Sequence, residues 1–498
     1  MNRVTHISRR PLVAALGLAF SAAARAATVS VDSNDDSVAP AGCNLRQAIA
    51  SINAGAATTA CAGAVTGTFG SNDTIVFSAA LIGSTVTLAQ GLLSTTVPMT
   101  IAGSGQTIDA HGAAYGVLSS SASLSLSNLT LTGGNAVTGG GLYARGAGSV
   151  VKLSNVAVRG NAASGNGGGI RVSGAAMTLD HSVVTANTSS DHAAGIDASG
   201  GASLTLNNSR VTANSALGNC GGILISNSSG SLANSTVSGN SVSCNHSYCS
   251  GGLYAYASSV TVAGSTISGN IATGGTSTDY VTGGFYMWQS NVAVTNSTVS
   301  GNQAIGNEFL AGAFSESNPT TGSFGLKLTN TTVSNNFAST SPGAGNANFI
   351  TGGLLVGFYV AGDASAANTI ISGNGIVNGT NPPAASDAVV SATSAPTVSI
   401  RFSVLGTASS GAFAGNGNVF SDAPGLGVLK NNGGQTQTMA LLAGSPALDA
   451  GSNALALDAN SQPLSADQTG AARIVNATVD IGAFEFPGDH IFGNGFEP

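Results

Sequence analysis

A short phrase recurs along the middle of this chain. It reads Leu-Ala-Asn-Ser-Thr-Val-Ser-Gly-Asn over 232–240 and Val-Thr-Asn-Ser-Thr-Val-Ser-Gly-Asn over 294–302. The closing asparagine falls at Asn161, Asn187, Asn214, Asn240, Asn270, Asn302, Asn336 and Asn374, in steps of 26, 27, 26, 30, 32, 34 and 38 residues. A small-Gly-apolar signal keeps pace with it, as Gly168-Gly169-Ile170, Gly221-Gly222-Ile223, Gly251-Gly252-Leu253 and Gly283-Gly284-Phe285. A period of this length means one supersecondary unit stacked many times, each unit burying its apolar face only against its neighbours.

Within each unit apolar and polar residues alternate, the period of a strand, and valine, isoleucine and threonine dominate. Glycine, asparagine and serine fill the turns, where they tolerate sharp bends. A step near 26 residues suits one turn of a coil with two or three short strands. The expected fold is all-β, a right-handed parallel β-helix. Counting weaker units before Asn135, about a dozen rungs would make a rod on the order of 60 Å long. Stacking also accounts for the asparagines, since an amide at the same bend of each rung can hydrogen-bond those above and below. A second column is expected at Asn155, His181, Asn208, Asn234, Gly264, Asn296, Asn330 and Asn368.

Such a coil lengthens without a new core, so 498 residues need not mean several globular domains. Charged residues are only 7% and glycines number 70, a composition that would suit disorder if 42% were not apolar and regularly alternating. At the start, Arg3, Arg9 and Arg10 precede an apolar run over 12–24, and Ala24-Arg25-Ala26 is a small-x-small cleavage site. Residues 1–26 therefore read as an export leader, with Arg9-Arg10 leaving a twin-arginine route open beside ordinary secretion. Losing its four arginines takes the formal charge from −7 to −11, which argues against nucleic acid and anionic membranes as partners. No other stretch is long and apolar enough to span a bilayer. The expected location is the cell surface or beyond it.

Five cysteines in an exported chain suggest two disulfides and a remainder. Cys43 and Cys61 are expected to close one loop. Cys220, Cys244 and Cys249 sit in adjacent turns, where any one pair is feasible. A metal site with His246 is the alternative there, although Cys-x-His-x-x-Cys is not a usual zinc spacing. No cofactor is expected, and the repeats lack the Gly-Gly-x-Gly-x-Asp phrase of calcium-bound β-rolls.

Both ends of the mature chain carry resemblances. Cys43-Asn44-Leu45-Arg46-Gln47-Ala48-Ile49 resembles the Cys-Ser-Leu-Arg-Glu-Ala motif of the CSLREA domain of bacterial exported proteins, with Asn44 for Ser and Gln47 for Glu. The resemblance continues through Asn72–Phe77 and Val86-Thr87-Leu88. In physical terms Leu45, Ala48 and Ile49 make a short amphipathic helix over a strand opened by Ile75 and Phe77. Residues 27–100 thus read as a cap and first rungs, closing an edge that would invite other chains. The repeats of 101–421 resemble those of polymorphic outer-membrane proteins, although no long barrel strands follow 420. Residues 422–486 resemble a choice-of-anchor Q module through Pro424-Gly425-Leu426, Asn432–Thr436, Leu442–Gly451, Asp467–Gly470 and Asp480–Glu485. That resemblance implies an exported, often surface-held protein. Its residues Asp449, Asp467, Arg473, Asp480 and Glu485 suit either calcium or a set of acid-Gly turns with an Asp–Arg pair. The tail 487–498 resembles the Ile-Phe-x-x-Gly-Phe-Glu tails of some exported proteobacterial proteins.

Chemistry must be sought rung by rung. After each glycine pair, inward positions are expected at Leu142, Ile170, Ile196, Ile223, Leu253, Phe285, Ala313 and Leu354. The following residues then face outward: Tyr143, Arg171, Asp197, Leu224, Tyr254, Tyr286, Phe314 and Leu355. A second outward column runs Arg145, Ser173, Ser199, Ser226, Tyr256, Trp288 and Glu316. Tyr254, Tyr256, Tyr286, Trp288 and Phe314 thus form one expected aromatic binding patch, walled by turns that lengthen in these rungs. Rings in a line suit sugar faces or an extended chain; loops folded over them would instead make a satellite core. The best catalytic cluster is Asp191, His192, Asp197, Arg171 and Arg145, on three consecutive rungs. Arg171 and Asp197 also stack as a plain cross-rung ion pair. The expected function is a non-enzymatic adhesin presenting its face to a glycan or another cell surface. The alternative is a polysaccharide lyase or glycoside hydrolase working in the same groove.

Overall fold

A computed structural model describes residues 26–488, apart from 276–279, 318–324, 344, 357–362, 391–397 and 409–412. The expectations for a leader over 1–26 and a tail over 487–498 fall almost wholly outside the described residues. The protein is a right-handed parallel β-helix. One rung shows the pattern. Ala176–Asp180 and Val183–Thr185 are two strands of the largest sheet, joined at His181. Thr188–Ser189 then enters a 10-stranded sheet, and Ile196–Ser199 an 11-stranded one. Each strand pairs in parallel with its counterpart one rung on: Leu179 with Leu206, Val184 with Val211, Ile196 with Ile223. These residues point inward and join one continuous apolar core from Val29 to Leu405.

The two asparagine columns differ in their physics. In the buried one, each Asn donates its backbone N–H and its Nδ2 to the Oδ1 of the next Asn, as Asn214 does to Asn240 at 3.1 and 2.9 Å. The same Nδ2 reaches back to a strand carbonyl, Val184 O at 3.1 Å, so every polar atom of a fully buried amide is satisfied. The second column is not a buried ladder. Its members from Asn155 to Asn368 share left-handed backbone, with φ between 46° and 58°. Asparagine and glycine tolerate that region, and His181 fills one slot of it. The following serine takes over the ladder role: Ser209 N–H donates to Ser235 Oγ at 3.1 Å, and Ser235 N–H to Ser265 Oγ at 3.0 Å. Asn-Ser-Thr is therefore a bend, a rung-to-rung acceptor and the first residue of the next strand. The glycine pairs lie against the buried ladder. A Cβ on Gly252 would fall 2.5 Å from Gly284 O and 2.9 Å from Asn270 Nδ2.

At the first rungs the expected helix forms over Leu45–Ala54, with Asn44 capping it by accepting Gln47 N–H at 2.8 Å. It buries Leu45, Ala48, Ile49 and Ile52. Arg46 grips Asp36 with two bonds of 2.8 Å and the Cys43–Cys61 disulfide pins the helix start. Residues 422–486 follow the last rungs. They carry isolated antiparallel bridges rather than regular strands, and they run back along the outside of the coil. Gln468 is the main fastening. It accepts from Thr298 Oγ1 at 2.6 Å and donates to Thr266 Oγ1 at 3.0 Å. Within the segment, fully buried Arg473 pairs with Glu485 at 2.9 Å and donates to Asp480 O and Gly482 O. Asp467 and Asp480 accept backbone N–H groups from elsewhere in the segment, Glu485 N on Asp467 and Asp449 N on Asp480. Asp467, Arg473, Asp480 and Glu485 are thus engaged within the segment, and the Arg pairs with Glu485 rather than with an Asp.

Candidate functional site

Arg145, Arg171, Asp197 and most of the aromatic candidates stand on the 11-stranded sheet, in outward columns set by register, while Asp191 and His192 lie in the turn before Ile196–Ser199. The first column reads Tyr143, Arg171, Asp197, Leu224, Tyr254, Tyr286, Ser315 and Leu355. The second reads Arg145, Ser173, Ser199, Ser226, Tyr256, Trp288 and Ser317. Two expectations are corrected here. Phe314 pairs with Phe285, not Tyr286, and lies in the central core; Glu316 pairs with Met287 and is buried on the inward side. The cause is Ala313, which takes the place of the second glycine of a pair, so the glycine signal points one residue too early.

The lengthened turns explain the rest of the patch. In four rungs they form strands Tyr248–Ser250, Tyr280–Thr282, Phe309–Ala311 and Phe349–Thr351, a separate parallel sheet laid against the first column. Tyr248, Tyr280, Phe309 and Phe349 stack ring on ring, with centroids 4.9, 4.4 and 5.8 Å apart. Beneath them Tyr254 and Tyr286 meet edge-to-face at 5.0 Å and are buried, which raises both phenol pKa values. These two residues are packing. Tyr256 remains exposed at 38% and Trp288 is half-buried, its ring edge-on to Tyr248 at 4.7 Å. Register makes Tyr256 the expected partner of Trp288, but the ring it meets is Tyr248, which sequence reasoning missed. A signal for it existed: an aromatic stands three residues before Gly251, Gly283, Gly312 and Gly352.

The charged candidates divide likewise. Arg171 and Asp197 form the cross-rung ion pair, and Asn166 Nδ2 donates to Asp197 Oδ2 at 2.9 Å. Asp197 is fully buried, and that burial raises its pKa despite the Arg171 charge. Arg145 lies apart, its guanidinium 5.6 Å over the Tyr143 ring. Asp191 instead gathers two histidines, His192 Nδ1 at 2.9 Å and His246 Nε2 at 2.7 Å, all partly exposed. Burial pushes its pKa up, but the His246 hydrogen bond and the charges of both histidines outweigh it and hold the carboxyl below its ordinary value. His246 belongs to the loop closed by the Cys244–Cys249 disulfide, so its role is that of a latch across rungs rather than a ligand beside cysteines. Cys220 is the free thiol, buried, and burial pushes it up to about 12. Among the described residues no group of three or more His, Cys, Asp or Glu is arranged to hold a metal ion. No helix among them is long and apolar enough to cross a membrane.

Residues 100–242 match a family model described as "Right handed beta helix region". Solved structures that match include the crystal structure of pectate lyase Pel9A, 14% identical over 92% of this chain and 96% of that one, with a TM-score of 0.46. No curated protein matches.

Proposed function

We propose that this chain is exported, displayed at the cell surface, and binds a glycan along the second outward column of the 11-stranded sheet. The observation that carries the reading is Tyr256 and Trp288, solvent-reaching rings on neighbouring rungs, at one end of a line of small serines that runs to Arg145. Flat rings suit the apolar faces of sugar rings, and serine hydroxyls and a guanidinium suit their hydroxyls and acids. The resemblances to CSLREA domains, to polymorphic outer-membrane repeats and to choice-of-anchor Q modules support export and surface display. The leader-like start supports it too. The test is retention of the mature chain on a panel of immobilised acidic and neutral polysaccharides. At least one should retain it, and Trp288→Ala and Tyr256→Ala should each release it while lowering the melting temperature by no more than about 4 °C. Retention by none, or retention unchanged in both variants, would sink the reading.

The polysaccharide lyase or hydrolase reading is favoured by one observation, the partly exposed Asp191 held between two histidines. Against it, the other carboxylate of the cluster, Asp197, is buried and spent on Arg171, whereas glycoside hydrolysis uses two working carboxyls. New reducing ends or ultraviolet absorbance from unsaturated ends, abolished by Asp191→Asn, would establish the enzyme in place of the binder.

A further inference from the structure

The buried asparagine column ends at an acid. Asn374 donates its backbone N–H and its Nδ2 to Asp387 Oδ1, both at 2.8 Å. Asp387 is fully buried, and its other oxygen, Oδ2, has no hydrogen-bond partner among the described residues. Buried polar oxygens are almost always paired, so an orphan of this kind asks for a proton or a cation. A second carboxylate stands at the same place. A Cβ on Gly406 would lie 2.1 Å from Asp387 Oδ2 and 2.9 Å from Asp422 Oδ1, so only a glycine leaves this space between the two acids. Asp422 is exposed and oriented by Thr407, whose N–H and Oγ1 donate to its Oδ1 at 2.6 and 2.9 Å. Thr407 is itself tied to Asp387, accepting its backbone N–H at 2.7 Å.

We propose that Asp387 Oδ2 and the Asp422 carboxylate hold a divalent cation, calcium by donor chemistry, at the last rungs of the coil. Hard cations take all-oxygen shells at about 2.3–2.6 Å, often with one or two carboxylates and water for the remainder, and the exposure of Asp422 admits that water. The ion would join the end of the rung stack to the start of the segment that folds back along it. This is a clasp at one place and leaves the repeats independent of calcium.

The experiment follows the melting of the mature chain in chelator and in millimolar CaCl2 at neutral pH, with calorimetric titration of CaCl2 into the chelated protein. Calcium should bind and raise the melting temperature by about 2–4 °C. Asp387→Asn puts the ladder's usual residue at its end and removes the buried acid. It should melt no lower than the parent in chelator, yet lose the calcium response. Asp422→Asn should lose that response as well. A parent chain with no calcium binding, or a shift kept in both variants, would overturn the clasp.

Discussion

Over the 11-stranded sheet the covering strands come from turns of the very rungs they protect, whereas over the largest sheet the cover returns from far along the chain. Tyr248–Ser250 and its three successors stack on each other in register, so each covered rung adds a similar apolar increment. The other cover is keyed by single polar side chains and by one apolar cluster, in which Ile370 and Val404 of the coil meet Leu441, Ala447 and Ile481. Gln468 reaches Thr266 across 202 residues, and Arg473 is the buried hub of its segment. A repeated cover melts with its rungs. A keyed cover can be released as a unit while the coil persists, because its fastenings are local to it and are not repeated in every rung.

Arg473→Ala is the strongest way to break this contrast. It strands Glu485 and removes two bonds to carbonyls, a loss of about 3–5 kcal/mol for an uncompensated buried charge. Limited proteolysis should cut within 422–486 while the rungs stay protected; simultaneous loss of both would mean the covers are not separable. Tyr286→Ala comes next, at about 3 kcal/mol for a large buried aromatic, and should lower the melting of the coil itself, read by circular dichroism. Raising the pH sharpens the comparison from the other side. Glu485 has its pKa raised by burial from 4.5 to about 7, and the Arg473 charge only partly offsets that burial and the Asp480 charge. Between those values the folded state holds a proton that the unfolded chain has released. The stability this group contributes is therefore full below about 4.5 and declines as pH rises through 7, by at most about 1.4 kcal/mol per pH unit. In Arg473→Ala the slope on the fold-back segment should change, while the slope for the rungs should not. Trp288→Ala should cost least, within about 1 kcal/mol, since part of its ring already faces water. A much larger drop would move Trp288 into the satellite core with Tyr254 and Tyr286.

What the sequence made legible follows the same divide. The strand period, the glycine pairs and the asparagines placed the rungs because each is a nearest-neighbour requirement repeated every turn. The inward column from Leu142 to Phe285 was readable for that reason. It slipped at Phe314, where Ala313 stands in for a glycine and still tolerates the close approach. Tyr254 and Tyr286 were rightly read as leaving the coil, but alternation reports only which side of a sheet a residue takes, not what lies on that side. The pairing of His246 with Asp191, 55 residues earlier, skips a rung and leaves no periodic trace. The grip of Gln468 and Arg473 was beyond reach for a related reason: each occurs once, so no column could announce it.

The buried amide column also has a direction. Every link passes a donated hydrogen toward the end of the chain, beginning with Gly134 N–H on Asn161 Oδ1 and finishing on Asp387, which at that oxygen only accepts. Interior units are therefore interchangeable and the two termini are not. A chain of this kind can grow or shrink by duplicating or deleting whole periods between Asn161 and Asn374, each new amide slotting between a giver and a taker already in place. Removing the Asp387 rung leaves the sequence of gifts without a final recipient, so length is free to vary in the middle while the stop is fixed.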